Sequence, residues 1–92
     1  MSFLNDLEDL ISQRKSAIPE QSYTARLFKG GIDRILKKIG EEAGEVIIAA
    51  KNHDNQELAN EAADLMFHLL ILLHHEGLSI NDVIKILESR NR

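Results

Sequence analysis

The chain has 92 residues, room for one domain over 1–92 and a small core, since a chain this short buries only about 60–65% of the surface its unfolded form exposes. It has no Cys, which excludes a disulfide framework, a thiolate metal site and a cysteine nucleophile. Its 15 acidic and 11 basic residues give a net charge of -4, the wrong sign for a general nucleic-acid binder, and 43% hydrophobic residues are too many for a disordered chain.

Ser2 is placed to cap a first helix in which Phe3, Leu4, Leu7, Leu10 and Ile11 recur at helical spacing. That helix must end before Pro19, because the residue preceding a proline is pushed out of the α region. Pro19–Ser22 reads as a turn, and Tyr23–Lys29 as a short amphipathic helix closed by Gly30 and Gly31. A long helix then runs from about Ile32 to Lys51, with Ile32, Ile35, Ile39, Ala43, Val46, Ile47 and Ala50 along one stripe. His53, Asp54 and Asn55 make a tight connection, and Asp54 with Glu57 resembles a capping box. The next helix continues to about Glu76 and stops at Gly77; Ser79 with Asp82 opens a last one carrying Ile80, Val83, Ile84 and Leu87.

No segment alternates with period two, so the expected fold is all-α. The short 53–55 connection makes the long helices an antiparallel hairpin flanked by short helices. Leu65–Leu73 is apolar nearly all round, more than the remaining helices can cover, so a bundle completed by a second copy is expected. That stretch is far short of the roughly 20 residues that span a bilayer. Met1–Leu10 is acidic where a signal peptide is basic, so no membrane association and a cytoplasmic location are expected.

Two acidic clusters sit on the hairpin arms: Glu41, Glu42 and Glu45 on the first, Glu57, Glu61 and Asp64 on the second. At about 100° per residue each cluster shares one sector, the first beside Ile39, Ala43 and Val46, the second beside Leu58, Ala62, Leu65 and Leu69. Like charges at i,i+4 cost roughly 0.2–0.5 kcal/mol per pair, and burial beside an apolar seam adds desolvation. A bound cation removes that conflict. All-carboxylate ligands suit Mg²⁺, Mn²⁺ or Ca²⁺, and the absence of a Glu-x-x-His pair at Glu61 argues against a di-iron bundle. Either cluster alone reads as a solvated helix face; the pair on adjacent antiparallel arms favours a metal site.

Acids without a nucleophile suit Mg²⁺-assisted work on phosphates, with a carboxylate free to take a proton from water. Lys38 shares a sector with Glu45, Arg34 and Lys37 stand one turn upstream, and Arg26 and Lys29 can reach in from the short helix to complete an anion clamp.

Glu41-Glu42-x-x-Glu45 followed by Glu61-x-x-Asp64 resembles the metal signature of the all-α nucleoside triphosphate pyrophosphohydrolases, the MazG-like superfamily. Ser22-Tyr23-Thr24-Ala25, Gly31-Ile32-Asp33, Lys38 to Glu45, Glu61 to Leu65 and Gly77-Leu78-x-x-x-Asp82-Val83 are similar to one branch, the phosphoribosyl-ATP pyrophosphatases of histidine biosynthesis. The resemblance spans about residues 20–88. It implies an enzyme that hydrolyses 1-(5-phosphoribosyl)-ATP to 1-(5-phosphoribosyl)-AMP and pyrophosphate, depends on Mg²⁺, and works in the cytoplasm as a homodimer or a higher assembly. It implies the stand-alone form rather than a fusion to the cyclohydrolase. Position by position it implies Glu42, Glu45, Glu61 and Asp64 as metal ligands, Glu41 as a further ligand or the base, and Lys38 as a phosphate holder. Tyr23 and Thr24 become contacts to base or ribose, where the residues alone fit capping and packing equally well. The alternatives are a housekeeping (d)NTP pyrophosphohydrolase of the same superfamily and a non-catalytic helical dimerisation module.

The remaining polar residues read structurally. His68, one turn after Asp64, is expected to be a partly buried structural histidine rather than a partner of that carboxylate. His74 and His75 complement a helix dipole, Gly30-Gly31 breaks a helix, and Met66 and Phe67 belong to the core or an interface.

Overall fold

A computed structural model describes residues 2–90, with the side chain of Ser2, and hence its expected role as a cap, outside the described residues. Helices α1 (Ser2–Lys15), α2 (Tyr23–Gly30), α3 (Ile32–Lys51), α4 (Asn55–His75) and α5 (Ile80–Arg90) follow one another, with a single 3-10 turn at Pro19–Gln21. No strand occurs among the described residues, and the fold is all-α. The longest packed surface is the α3–α4 hairpin; α2 lies against α3, and α1 bridges α2, α4 and α5.

The caps explain where the helices start and stop. Ser22 Oγ accepts from Ala25 N at 3.2 Å and opens α2. Gly31 joins α2 to α3 in one residue at φ 84°, a left-handed conformation that a side chain would strain. At the hairpin turn His53 takes φ 55°, and its N–H and that of Asp54 bond the Ala50 and Ala49 carbonyls, a Schellman closure with histidine in the usual glycine place. Asp54 Oδ1 then accepts from Glu57 N at 3.0 Å and starts α4. Gly77, at φ 77°, ends α4 by the same closure onto His74 and Leu73. Asp82 reaches back to Ser79 N, and Glu8 of α1 accepts from Ile80 N at 2.6 Å, tying the first helix to the start of the last.

The core is Ile11, Leu27, Ile35, Leu70 and Ile71, joined by Leu4, Leu7, Phe28, Ile39, Phe67, Leu72, Leu73 and Ile80. The expected stripe on α3 is displaced. Its buried line is Ile35, Glu42 and Ala49, with Ile39 and Val46 half-buried between them, whereas Ile47 is 64% exposed and Ala50 is also exposed. A 3–4 spacing along 35, 39, 42, 46 and 49 is the seam of a helix pair, and residues 47 and 50 fall about 100° off it. On α4, too, Glu61, His68 and Ile71 turn inward, while Leu69 is exposed and Leu58, Ala62 and Leu65 are only half-buried. Of the six carboxylates Glu42 alone is buried in the seam and Glu61 is half-buried, while Glu41, Glu45, Glu57 and Asp64 stay exposed at its edge.

Candidate active site

Both arms of the hairpin contribute. Glu42 is a seam residue, 7% exposed, flanked along α3 by Ile39 and Val46; Glu45 is one turn on and exposed; Glu61 faces them from α4 and is half-buried. One oxygen from each of these three carboxylates lies within 4.8 Å of the others. A cavity of about 230 Å³ opens beside them, lined by Glu45, Ile48, Ala49, Asn52, Asp54, Glu57 and Glu61.

The electrostatics of this arrangement are unresolved without a cation. Glu42 Oε2 and Glu61 Oε2 are buried and have no hydrogen-bond partner. Ionised carboxylates only accept, so they cannot satisfy one another. A proton relieves the conflict: the Glu61 carboxyl is pushed up to about 8, first because a protonated Glu61 shares its hydrogen with Glu45, then with Glu57, then through burial and the negative charge of Glu45. A hard divalent cation relieves it better, because it takes several carboxylate oxygens at once. Three converging carboxylates with two orphaned oxygens fit such an ion.

The other predicted residues divide around this centre. Asp64 is exposed and does not belong to the converging group. Glu41 is exposed and pairs with Lys38, whose Nζ lies 3.6 Å from Glu41 and 3.9 Å from Glu42. Lys38 is thus the link to a cationic region. An open cleft of about 570 Å³ is lined by Gly30, Asp33, Arg34, Lys37, Lys38 and Glu41. A second cleft of about 440 Å³ joins it at Gly30 and Arg34 and carries Arg26 and Lys29 beside Pro19 and Glu20. Among the described residues, Lys29, Arg34 and Lys37 form no ion pair, and Arg26 bonds the Pro19 carbonyl and lies 5.9 Å from the centre of the Tyr23 ring.

Tyr23 starts α2 and feels the charges of both regions. Burial raises its phenol above the ordinary value, with Lys38 lowering it, Glu42 raising it, Arg34 lowering it and Asp64 raising it. In return the field of Tyr23 is the largest influence raising the Lys38 ammonium, followed by desolvation, which opposes it, and by Glu41 and Glu42, which reinforce it. Thr24 is buried on the inner side of α2 and lines neither cleft. His68 is buried and bonds the Asp64 backbone carbonyl at 2.7 Å, so it does not orient the Asp64 carboxylate. Its other nitrogen meets Tyr23 Oη at 2.7 Å, a contact between residues 45 positions apart that no local signal in the sequence announces. Glu57, named in the second acidic cluster but not among the ligands the resemblance implies, borders the cavity and shares the Glu61 proton.

The chain is similar to known proteins along nearly its whole length. The family model described as phosphoribosyl-ATP pyrophosphohydrolase matches residues 4–91. A phosphoribosyl-ATP pyrophosphatase of Leptospira biflexa serovar Patoc is 59% identical over 91 residues, 99% of either chain. The histidine biosynthesis bifunctional protein HisIE of Bacillus subtilis is 53% identical over 88 residues, covering 96% of this chain and 42% of that protein. The corresponding Escherichia coli protein is 52% identical over 90 residues, and the chain again spans under half of it, 44%.

Proposed function

The chain belongs to the phosphoribosyl-ATP pyrophosphohydrolase family, and on that footing we propose how its own residues divide the work of the reaction. The enzyme is a phosphoribosyl-ATP diphosphatase: water adds across the α–β phosphoric anhydride of phosphoribosyl-ATP, giving phosphoribosyl-AMP and pyrophosphate for histidine biosynthesis. The observation that carries the assignment of the centre is the convergence of Glu42, Glu45 and Glu61 with two buried oxygens left unpartnered.

In this reading Glu42, Glu45 and Glu61 hold Mg²⁺, with Asp64 joining from its exposed position one turn beyond Glu61. A bound Mg²⁺ supplies charge neutralisation at the phosphate oxygens and acidifies water. Lys38 holds a phosphate at the border between the carboxylates and the cationic cleft. Glu41, outside the converging group and beside Lys38, takes the proton of the attacking water. Arg34 and Lys37 in the first cleft, and Arg26 and Lys29 in the second, receive the remaining phosphate charge of a substrate that is anionic at both ends. Tyr23 and Thr24 lie at the nucleoside end, Tyr23 by contact and Thr24 by holding the start of α2.

The outer side of the hairpin calls for a second copy. Ile47 and Met66 are 64% and 50% exposed, and none of α1, α2 or α5 covers them. A homodimer pairing these faces buries them. No helix among the described residues is long and apolar enough to cross a membrane, and the reading places the enzyme in the cytoplasm.

The test is pyrophosphate release by the purified protein from phosphoribosyl-ATP, ATP, dUTP and dCTP, with Mg²⁺ and with EDTA. Metal-dependent release from phosphoribosyl-ATP above the others is the expected result. Preference for the ordinary nucleotides moves the chain to a housekeeping role, and no release from any of them overturns the enzymatic reading.

A further inference from the structure

One buried side chain has no part in the chemistry above. His68 is 5% exposed on the inner side of α4. Its Nδ1 lies 2.7 Å from the Asp64 backbone oxygen and its Nε2 lies 2.7 Å from Tyr23 Oη. A carbonyl oxygen only accepts, so Nδ1 must carry the hydrogen of this bond; in a neutral imidazole Nε2 then offers only its lone pair. The Tyr23 hydroxyl is therefore the donor to Nε2. The two rings meet edge-on at 84° with centroids 5.7 Å apart, and Phe67 closes on the histidine at 5.6 Å, which holds the ring in place.

The polarity of the phenol follows. With its one hydrogen spent on His68, the Tyr23 oxygen can only accept from anything else. The centre of the Tyr23 ring lies 5.9 Å from the guanidinium of Arg26, which lines the second cleft, and the charges of Lys38, Glu42, Arg34 and Asp64 act on the phenol. Burial keeps the phenol protonated, so it is neither a base nor a nucleophile. Phosphate oxygens are acceptors and cannot bond it. Of the donors an adenine nucleotide carries, the sugar hydroxyls lie nearer its phosphates than the base amino group does.

We propose that His68 is a positioning residue which, by taking the Tyr23 hydroxyl hydrogen, fixes the phenol oxygen as the acceptor for a ribose hydroxyl of the nucleotide. This rests on the nucleotide-hydrolysing reading above.

The test is calorimetric binding of AMP, 2′,3′-dideoxy-AMP and pyrophosphate, with Mg²⁺, to the wild-type protein, Tyr23→Phe, His68→Leu, the double variant and His68→Gln. Removing one neutral hydrogen bond should weaken AMP binding about threefold to tenfold in Tyr23→Phe, with pyrophosphate binding changed less than about twofold. His68→Leu should lose AMP affinity equally, the double variant should lose no more than either single one, and His68→Gln, whose amide oxygen can accept from Tyr23, should recover most of it. Dideoxy-AMP should bind wild type and Tyr23→Phe alike. If His68→Leu does not fold, His68→Asn replaces it, keeping a donor for the Asp64 carbonyl without an acceptor at the Nε2 position. Equal losses for AMP and pyrophosphate, additive losses in the double variant, or no AMP binding by wild type would overturn the proposal. Failure of the wild type to cleave phosphoribosyl-ATP is a separate result: it removes the reaction while leaving the contrast between AMP and pyrophosphate to be decided.

Discussion

Toward α1 and α2, the α3–α4 seam is filled by Ile35, Leu70 and Ile71, and Ile11 and Leu27 from the neighbouring helices close over them. Toward the 52–54 turn the same inner surface carries Glu42, Ala49 and Glu61. One hairpin thus has a half organised for stability and a half organised against it. A buried polar group without a partner costs about 1–3 kcal/mol, so the acidic half persists only because the apolar half holds the two arms together. That division is expected where a protein keeps a charged centre ready for a ligand.

The largest effect expected from breaking this division is on turnover. Glu45→Gln should lower kcat by about a hundredfold or more if Glu45 is the metal ligand proposed above. Glu45 is exposed, so the variant should retain its circular dichroism spectrum and melting temperature. Normal turnover would remove Glu45 from the site. In the other half, Ile35→Ala should cost about 2–5 kcal/mol in urea unfolding, since Ile35 is fully buried and its removal leaves a cavity. The folded fraction should keep its kcat.

A smaller change sharpens the contrast by its sign. Glu42→Leu replaces a seam carboxylate with one buried, unpartnered oxygen by an apolar side chain, and should raise the stability of the metal-free protein by about 1–3 kcal/mol while abolishing turnover. A loss of stability would mean that Glu42 is compensated by Lys38 alone. The smallest effect is on pH dependence. Because the folded-state value of Glu61 is raised to about 8, the favourable contribution of its proton is complete below the ordinary carboxylate range and fades as pH rises through about 8. The metal-free wild type should therefore melt lower at pH 8.5 than at pH 6, and Glu61→Gln should flatten that difference. Saturating Mg²⁺ should flatten it too.

Much of this organisation is legible in the residues themselves. Apolar spacing, Pro19, Gly31, Asp54 and Gly77 place the helices and the hairpin turn, because caps and breaks are local chemistry. The two acidic groups and their meeting across the hairpin follow from the short connection. The inner face of each arm is another matter. α3 and α4 carry apolar residues on both sides, Ile35 and Ile39 inward, Ile47 and Met66 outward, so periodicity cannot say which side packs within the chain. Glu42 is the consequence: a residue type rarely buried lies in the seam, and sequence pattern places it at the edge. The Tyr23–His68 bond depends on how α2 folds back over α4, which no local spacing encodes.

The account turns on whether the acidic half of the hairpin is a cation centre. Titration of Mn²⁺ or Mg²⁺ into wild type and Glu42→Gln at pH 8, followed calorimetrically, asks this directly. Saturable binding by the wild type, weakened about tenfold or more in Glu42→Gln, is the predicted result. No binding, or equal binding by both proteins, would contradict it.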